Sequence, residues 1–257
     1  MQGHQARKRF GQNFLADTHY VRRIVDAVAA QPGDNLVEIG PGLAAITGGL
    51  IERAGHIAAI EIDRDLAARL RTTFTPAQLT LHEADALTFD YATLGPQLRV
   101  VGNLPYNISS PLLFLLAAHD AQLRDLHVML QKEVVARMTA APGTADYGRL
   151  TVMLQVRFRI ERLFVVPSGA FRPSPKVESA VARLIPLHDA KPVIADEALF
   201  ARVVGAAFMQ RRKTLRNAVS SLCDSAMIES VGIDPGARGE TLAVADFVRL
   251  TDAIALH

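Results

Sequence analysis

The chain has a single cysteine, Cys223, among 257 residues. An internal disulfide is thereby excluded, a thiolate metal cluster has no ligands, no metal centre is expected, and a reducing compartment is implied. Nowhere does an apolar stretch approach the roughly twenty residues of a bilayer span, and the basic opening GHQARKRFGQNFLADTHY holds no apolar run of signal-peptide length. The expected location is cytoplasmic, with no membrane partner. Internal repeats and low-complexity tracts are also missing. Charge of one sign is scarce overall: the formal net charge is only +2, with 49% apolar and 21% charged residues. That balance describes a globular chain rather than a disordered or fibrous one. What positive charge exists is clustered. Arg7, Lys8, Arg9, Arg22 and Arg23 fall near the start, and Arg211, Arg212, Lys213 and Arg216 fall in QRRKTLRN. The two clusters could line one surface if the fold brings them together.

From Asn35 the pattern NLVEIGPG predicts a buried strand ending in a glycine turn, and AITGGLIERAG has helical apolar spacing up to Gly55. HIAAIEID, LTLHEAD and QLRVVGN are three further strands, with DLAARLRTTF and PLLFLLAA as helices between strands. LHVMLQKEVVARM begins as a fifth strand and runs into helix. Such alternation predicts an α/β domain with a mostly parallel sheet and helices on both faces. TVMLQVRFRIERLFVV and SAVARLIPL are expected to add strands at the sheet edge. After Leu187 the texture turns helical, in ALFARVVGAAFMQ, TLRNAVSSLC and LAVADFVRLTDAIAL. Residues 1–187 are therefore expected to form the α/β domain, and 188–257 a small all-helical one.

EIGPG lets the backbone approach a ligand closely at a helix N-terminus. Dinucleotide oxidoreductases use a similar turn, although the full three-glycine form is absent here. Glu61 ends the next strand, where an acid can accept both ribose hydroxyls of an adenosine; Asp63 competes for that role. Asp85, ending the third strand, could accept from adenine's exocyclic amine. The plainer reading is that these acids cap the helices that follow.

NLPYNISSP, directly behind the apolar run LRVVG, supplies the chemistry an NAD site would not explain. The side-chain oxygen of Asn103 and the carbonyl of Leu104, held in a turn by Pro105, can accept both N–H bonds of an adenine N6 amine. Drawing that amine toward pyramidal geometry frees its lone pair for attack, and Tyr106 would stack on the base. Alternatively, Asn103 caps the helix beginning near Ser109 and Tyr106 is only packed.

Across nearly the whole chain, RFGQNFL, EIGPGLAAIT, IAAIEID, HEADAL, VGNLPYNISSPLL, MLQKEVVARM, YGRLTVMLQ, FRPSPKVESAV and FMQRRKTLRN occur in the order found in a known family. The sequence resembles the small-subunit ribosomal RNA adenine N6-dimethyltransferases, which dimethylate two adjacent adenines in the 3′-terminal hairpin of 16S rRNA. The resemblance implies a Rossmann-like class I methyltransferase domain with a seven-stranded sheet, S-adenosyl-L-methionine as donor, and S-adenosyl-L-homocysteine as product. It implies cofactor contacts at Asn13, Leu15, Gly40, Gly42, Glu61, Asp85 and Asn103, and so favours Glu61 over Asp63 for the ribose. It implies a target-base platform at Asn103, Leu104, Pro105 and Tyr106, with Phe171 as a second aromatic face. In this light the basic residues approach RNA in the immature small subunit, and the helical domain extends the footprint. Lys176 stands between phosphate contact and an ordinary solvated charge. Many relatives carry glycine where this chain has Ala44, a methyl that the first turn of a helix would tolerate. The related large-subunit enzymes of macrolide resistance share the catalytic motifs, but FRPSPKVES and RRKTLRN are closer to the housekeeping type. An assembly factor with secondary methylation is the reading of a different class. Nothing asks for more than a monomer.

Overall fold

A computed structural model describes residues 13–210 and 212–257. In chain order its strands are β1 (Phe14–Leu15), β2 (Leu36–Ile39), β3 (Ile57–Glu61), β4 (Leu79–Glu83), β5 (Leu98–Asn103), β6 (Leu123–Gln131), β7 (Phe158–Val166), β8 (Phe171–Arg172) and β9 (Ser179–Pro186). The helices are α1 (Thr18–Val28), α2 (Thr47–Ala54), α3 (Arg64–Thr73), α4 (Ser109–Ala118), α5 (Lys132–Met138), α6 (Arg149–Gln155), α7 (Glu197–Met209), α8 (Leu215–Ala218), α9 (Ser225–Ser230) and α10 (Val244–Ala255).

Seven strands form one sheet in the order β4-β3-β2-β5-β6-β9-β7. The first five are mutually parallel, and β9 runs antiparallel to β6. All four residues of β2 are buried, which is why LVEI reads as an unbroken run: a central parallel strand has no solvent face. One face of the sheet, through Leu36, Ile57 and Val101, packs on Ile24 and Val25 of α1 and on Leu50 and Ile51 of α2. The alternate residues Val37, Ile39 and Ile60 are also buried and point to the other face. After β4 the chain returns across the sheet to place β5 on the far side of β2. The reversal creates a crevice at the C-terminal ends of the strands, where such sheets take ligands.

Ala44 differs from expectation. It lies ahead of α2 rather than in its first turn, with a left-handed backbone (φ 66°), and its N–H closes a turn onto the Pro41 carbonyl at 2.8 Å. A side chain in this region costs about 1 kcal/mol or more, partly offset by the extra unfolded-state entropy of glycine. Ala44→Gly is accordingly expected to raise the melting temperature by about 1–3 °C; a lower value in a thermal melt would contradict the strain.

The chain divides into two compact units. Of the described residues, one unit comprises those through Val135 together with Ile160–Pro186, and the other those of Ala136–Arg159 with Leu187–His257. The later unit thus includes a stretch well before residue 188, because Tyr147, Val152 and Val156 share a core with Phe200, Val204, Leu215 and Phe247. Within that unit the Tyr147 hydroxyl donates to the Leu242 carbonyl at 2.8 Å.

TVMLQ, expected as strand, is the body of α6. The Thr151 hydroxyl accepts from the Gly148 N–H at 3.0 Å and donates to the Arg137 carbonyl at 2.6 Å. Gln155 donates to the Met138 and Ala140 carbonyls, both at 3.0 Å. These anchors, with Val152 and Leu154 buried, override the strand preference of the β-branched residues. TLRNAVSSLC is helical only over α8, and α9 was not foreseen.

Candidate active site

The parallel strand ends surround a cavity of about 290 Å³. Its first wall is the glycine turn after β2. Gly40 and Gly42 both have left-handed backbones (φ 67° and 59°), and a Cβ on Gly42 would meet Phe14 at 3.2 Å. Glycine is thus favoured at Gly42 by conformation and by space together.

Glu61, at the end of β3, ties this wall to the next. One carboxylate oxygen accepts from the Gly42 N–H at 3.1 Å and the other from the Asp63 N–H at 2.9 Å. Burial pushes its carboxyl above the ordinary range, opposed by the backbone N–H groups of Asp63 and Gly42, which favour the charged form. Asp63 is occupied elsewhere: it caps α3 by accepting from Asp65 N–H at 3.1 Å. Only Glu61 of these two acids lines the cavity. Asp85 also lines it and simultaneously accepts from Leu87 N–H at 2.9 Å, so here the capping and ligand-facing readings coexist.

The opposite wall is NLPY. The Asn103 side-chain nitrogen donates to the Asn13 carbonyl at 3.0 Å, which leaves Oδ1 as the acceptor; it does not cap α4, whose N-cap position, Ile108, has no side-chain bond. Leu104 donates its N–H to Met129 at 3.1 Å, and no described residue donates to the Leu104 carbonyl. The Tyr106 hydroxyl lies 2.7 Å from Ser179 Oγ. β1 completes the enclosure. Its pairing with β8, Phe14 to Arg172 and Leu15 to Phe171, brings Asn13 and Leu15 to the mouth.

Ten of the sequence-derived positions therefore line one cavity: Asn13, Leu15, Gly40, Gly42, Glu61, Asp85, Asn103, Leu104, Pro105 and Tyr106. Phe171 does not. It is 0% exposed, packed in the core beside Leu15, and as placed its ring has no face to offer a base. Arg22 is exposed on α1, while Arg23 stacks over the Phe164 ring at 4.0 Å. Arg212, Lys213 and Arg216 are exposed in the other unit, as Lys176 is in the first. Arg7, Lys8, Arg9 and Arg211 lie outside the described residues.

Two further buried titratable residues line the cavity, Glu38 and His127, neither of them among the expected site residues. Glu38 is fully buried and its carboxyl is pushed up to about 8, first by burial, with the Thr47 hydroxyl opposing and the Glu61 charge adding. His127 is also buried and held down to about 4, again chiefly by burial. Register places Glu38 opposite Val101, and Val101 opposite His127. The signal in the sequence was a polar residue among apolar ones, Glu38 in LVEI and His127 in LHVML. Among the described residues no group of His, Cys, Asp and Glu is suited to a metal ion, and no helix is long and apolar enough to cross a membrane.

This strand order, with the cavity at the parallel strand ends, is that of a class I methyltransferase. A solved neighbour, a dimethyladenosine transferase from Plasmodium falciparum, shares the fold with a TM-score of 0.76 over 92% of this chain and 95% of its own, at 24% identity. Residues 3–256 match the ribosomal RNA adenine dimethylase family, and the chain belongs to it. A ribosomal RNA small subunit methyltransferase A from Aromatoleum aromaticum is 61% identical over 99% of this chain and 96% of its own length. The 23S rRNA methyltransferase ErmE is 26% identical, with a TM-score of 0.70, over 95% of this chain and all of its own.

Proposed function

We propose that this enzyme transfers methyl groups from S-adenosyl-L-methionine to N6 of two adjacent adenines in the 3′-terminal hairpin loop of 16S rRNA. Its substrate is the immature small ribosomal subunit, and its products are N6,N6-dimethyladenosines and S-adenosyl-L-homocysteine. The observation that carries this reading is the convergence of Glu61, Asp85, Asn103 and Tyr106 on one cavity. Preference for the small subunit over the large rests on 61% against 26% identity to the two kinds of relative.

The donor set suits a nucleoside. Glu61 would hold the ribose diol, Asp85 the exocyclic amine, and Ile62, 44% exposed beside them, offers apolar surface to a flat ring. The bare backbone at Gly40 and Gly42, with Asn13 and Leu15 across the mouth, would hold the amino-acid end. When bound, S-adenosyl-L-methionine supplies an electrophilic methyl group on its sulfonium.

The chain's own task is to orient the nucleophile. Asn103 Oδ1 and the Leu104 carbonyl accept the two N6–H bonds, and Tyr106 stacks on the base and fixes its plane. No base of shifted pKa is needed before attack, since the proton becomes acidic only as the new bond forms and then passes to water. Positioning and electrostatics of the transition state supply the rate. Arg22, Arg212, Lys213 and Arg216, with Arg7, Lys8, Arg9 and Arg211, would contact RNA phosphates through shape-based, salt-sensitive binding. The unit containing Leu187–His257 would carry part of that footprint.

The test is transfer of radiolabelled methyl groups to unmethylated small subunits, with nuclease mapping and large subunits as control. Dimethyladenosine confined to the 3′-terminal hairpin is the expected product. Label in the large subunit would overturn the substrate assignment.

A further inference from the structure

We propose that Ser179 is a positioning residue that holds the Tyr106 ring in place and is needed chiefly for the second of the two methyl transfers to each adenine. The proposal rests on the reading that Asn103, Leu104 and Tyr106 hold the target base.

Tyr106 stands in the turn between β5 and α4, half-buried and next to the exposed Asn107. Local structure fixes only its backbone, through the Ser109 hydroxyl donating to its carbonyl at 3.0 Å. The hydroxyl oxygen lies on the axis of a tyrosine's soft ring torsion, so a bond to it fixes where the far end of the ring sits, and biases the plane through the preference of a phenolic O–H to lie in the ring plane. What holds the hydroxyl is Ser179 Oγ, 2.7 Å away. Ser179 is anchored far more firmly than its partner. It is 0% exposed and opens β9 opposite Gln131 of β6. Its neighbour Glu178 is clamped twice: its carbonyl accepts from Lys132 N–H at 3.0 Å, and its carboxylate accepts from Lys132 Nζ at 2.7 Å. The sheet holds Asn103 and Leu104 through β5 and Met129; it reaches the Tyr106 ring through one hydroxyl.

The two rounds of transfer load this tether differently. In each round N6 gains a bond to carbon while the donor's carbon–sulfur bond breaks with its electron pair left on sulfur, and one N6 proton departs to water. Unmodified adenine enters with two N6–H bonds, one for each acceptor of the platform. Monomethyladenine enters with one, so one of Asn103 Oδ1 and the Leu104 carbonyl goes unused. Alignment in the second round then falls more heavily on the stacking face of Tyr106.

The experiment is a time course of mono- and dimethyladenosine on small subunits, read by nucleoside mass spectrometry, for wild type, Ser179→Ala, Tyr106→Phe and the double variant. Each single variant is expected to slow the second transfer by about 10-fold, the scale of one lost hydrogen bond, and the first by clearly less, so that monomethyladenosine accumulates. The double variant is expected to match the singles, because both remove the same bond. An unchanged time course in Ser179→Ala overturns the proposal. Equal slowing of both rounds with a lowered melting temperature also overturns it, since that is what a merely structural serine would give. Tyr106→Phe keeps the test open should Ser179→Ala fold poorly. Asn103→Ala, run alongside, checks the underlying reading separately: normal turnover there removes the platform itself, whatever Ser179 does.

Discussion

Asn103→Ala is expected to lose about 10²–10³-fold in single-turnover methyl transfer, the scale measured when one transition-state hydrogen-bond partner is deleted, while subunit binding and melting temperature stay near wild type. The asymmetry follows from how Asn103 is held. Its amide nitrogen is committed to the Asn13 carbonyl, so its oxygen is the atom left to accept from the target amine, and in the proposed arrangement it would face N6 as positive charge develops there. Removing the side chain forfeits one half-buried hydrogen bond, about 1 kcal/mol of fold stability. Asn103→Asp should not restore full rate, because a carboxylate would face the Asn13 carbonyl with no proton to donate. Filter binding and a rapid-quench time course separate binding from chemistry. Normal turnover by Asn103→Ala would sink the proposed role of the amide.

Glu38→Gln is expected to make the ligand-free protein more stable at neutral pH, by an amount that grows with pH. Glu38 has a folded pKa of about 8 against an ordinary 4.5. A group raised in this way binds its proton more tightly when folded, so its contribution is full below 4.5 and is lost as pH rises to about 8. At pH 7 the gap from 4.5 is 2.5 units, or about 3 kcal/mol as an upper scale. Glutamine has no proton to lose and should therefore melt several degrees higher at pH 8, with the difference shrinking toward pH 5. A constant difference across that range would mean that Glu38 does not titrate as its burial requires. His127 acts in the opposite direction. Its folded pKa, about 4 against 6.5, gives stability that is present above 6.5 and lost as pH falls through 4. Between 4.5 and 6.5 the two slopes offset each other, and above 6.5 Glu38 acts alone.

Most of the sheet was legible because parallel strands buried on both faces leave unbroken apolar runs, and because each turn that carries chemistry sits directly behind such a run. EIGPG, Glu61, Asp85 and NLPY could be placed at strand ends for that reason. TVMLQ could not, since its helical state depends on bonds to Arg137, Met138 and Ala140 that no local pattern encodes. β1 and β8 are two residues each and pair across most of the chain, so neither leaves a period to detect. Phe171 shows the limit of motif reasoning. An aromatic between small residues and prolines looks available, yet its strand pairing buries it. Glu38 and His127 were visible as polar residues in the apolar stretches LVEI and LHVML, but only the register reveals that Val101 alone separates them in one row.

The pairing of β1 with β8 also fixes an order of events during synthesis. Ala16 and Asp17 donate to the Ala170 carbonyl at 2.8 and 3.2 Å, so the segment carrying Asn13 and Leu15 is fastened by residues translated near the end of the catalytic unit. A nascent chain that has emerged only through β6 already owns the glycine turn, both acids and NLPY. It lacks the β8 partner of the front segment, which is then tied to the rest by the bond from Asn103 to the Asn13 carbonyl. The segment in front of the pocket therefore gains its strand partner late, once the chain has been made through Arg172.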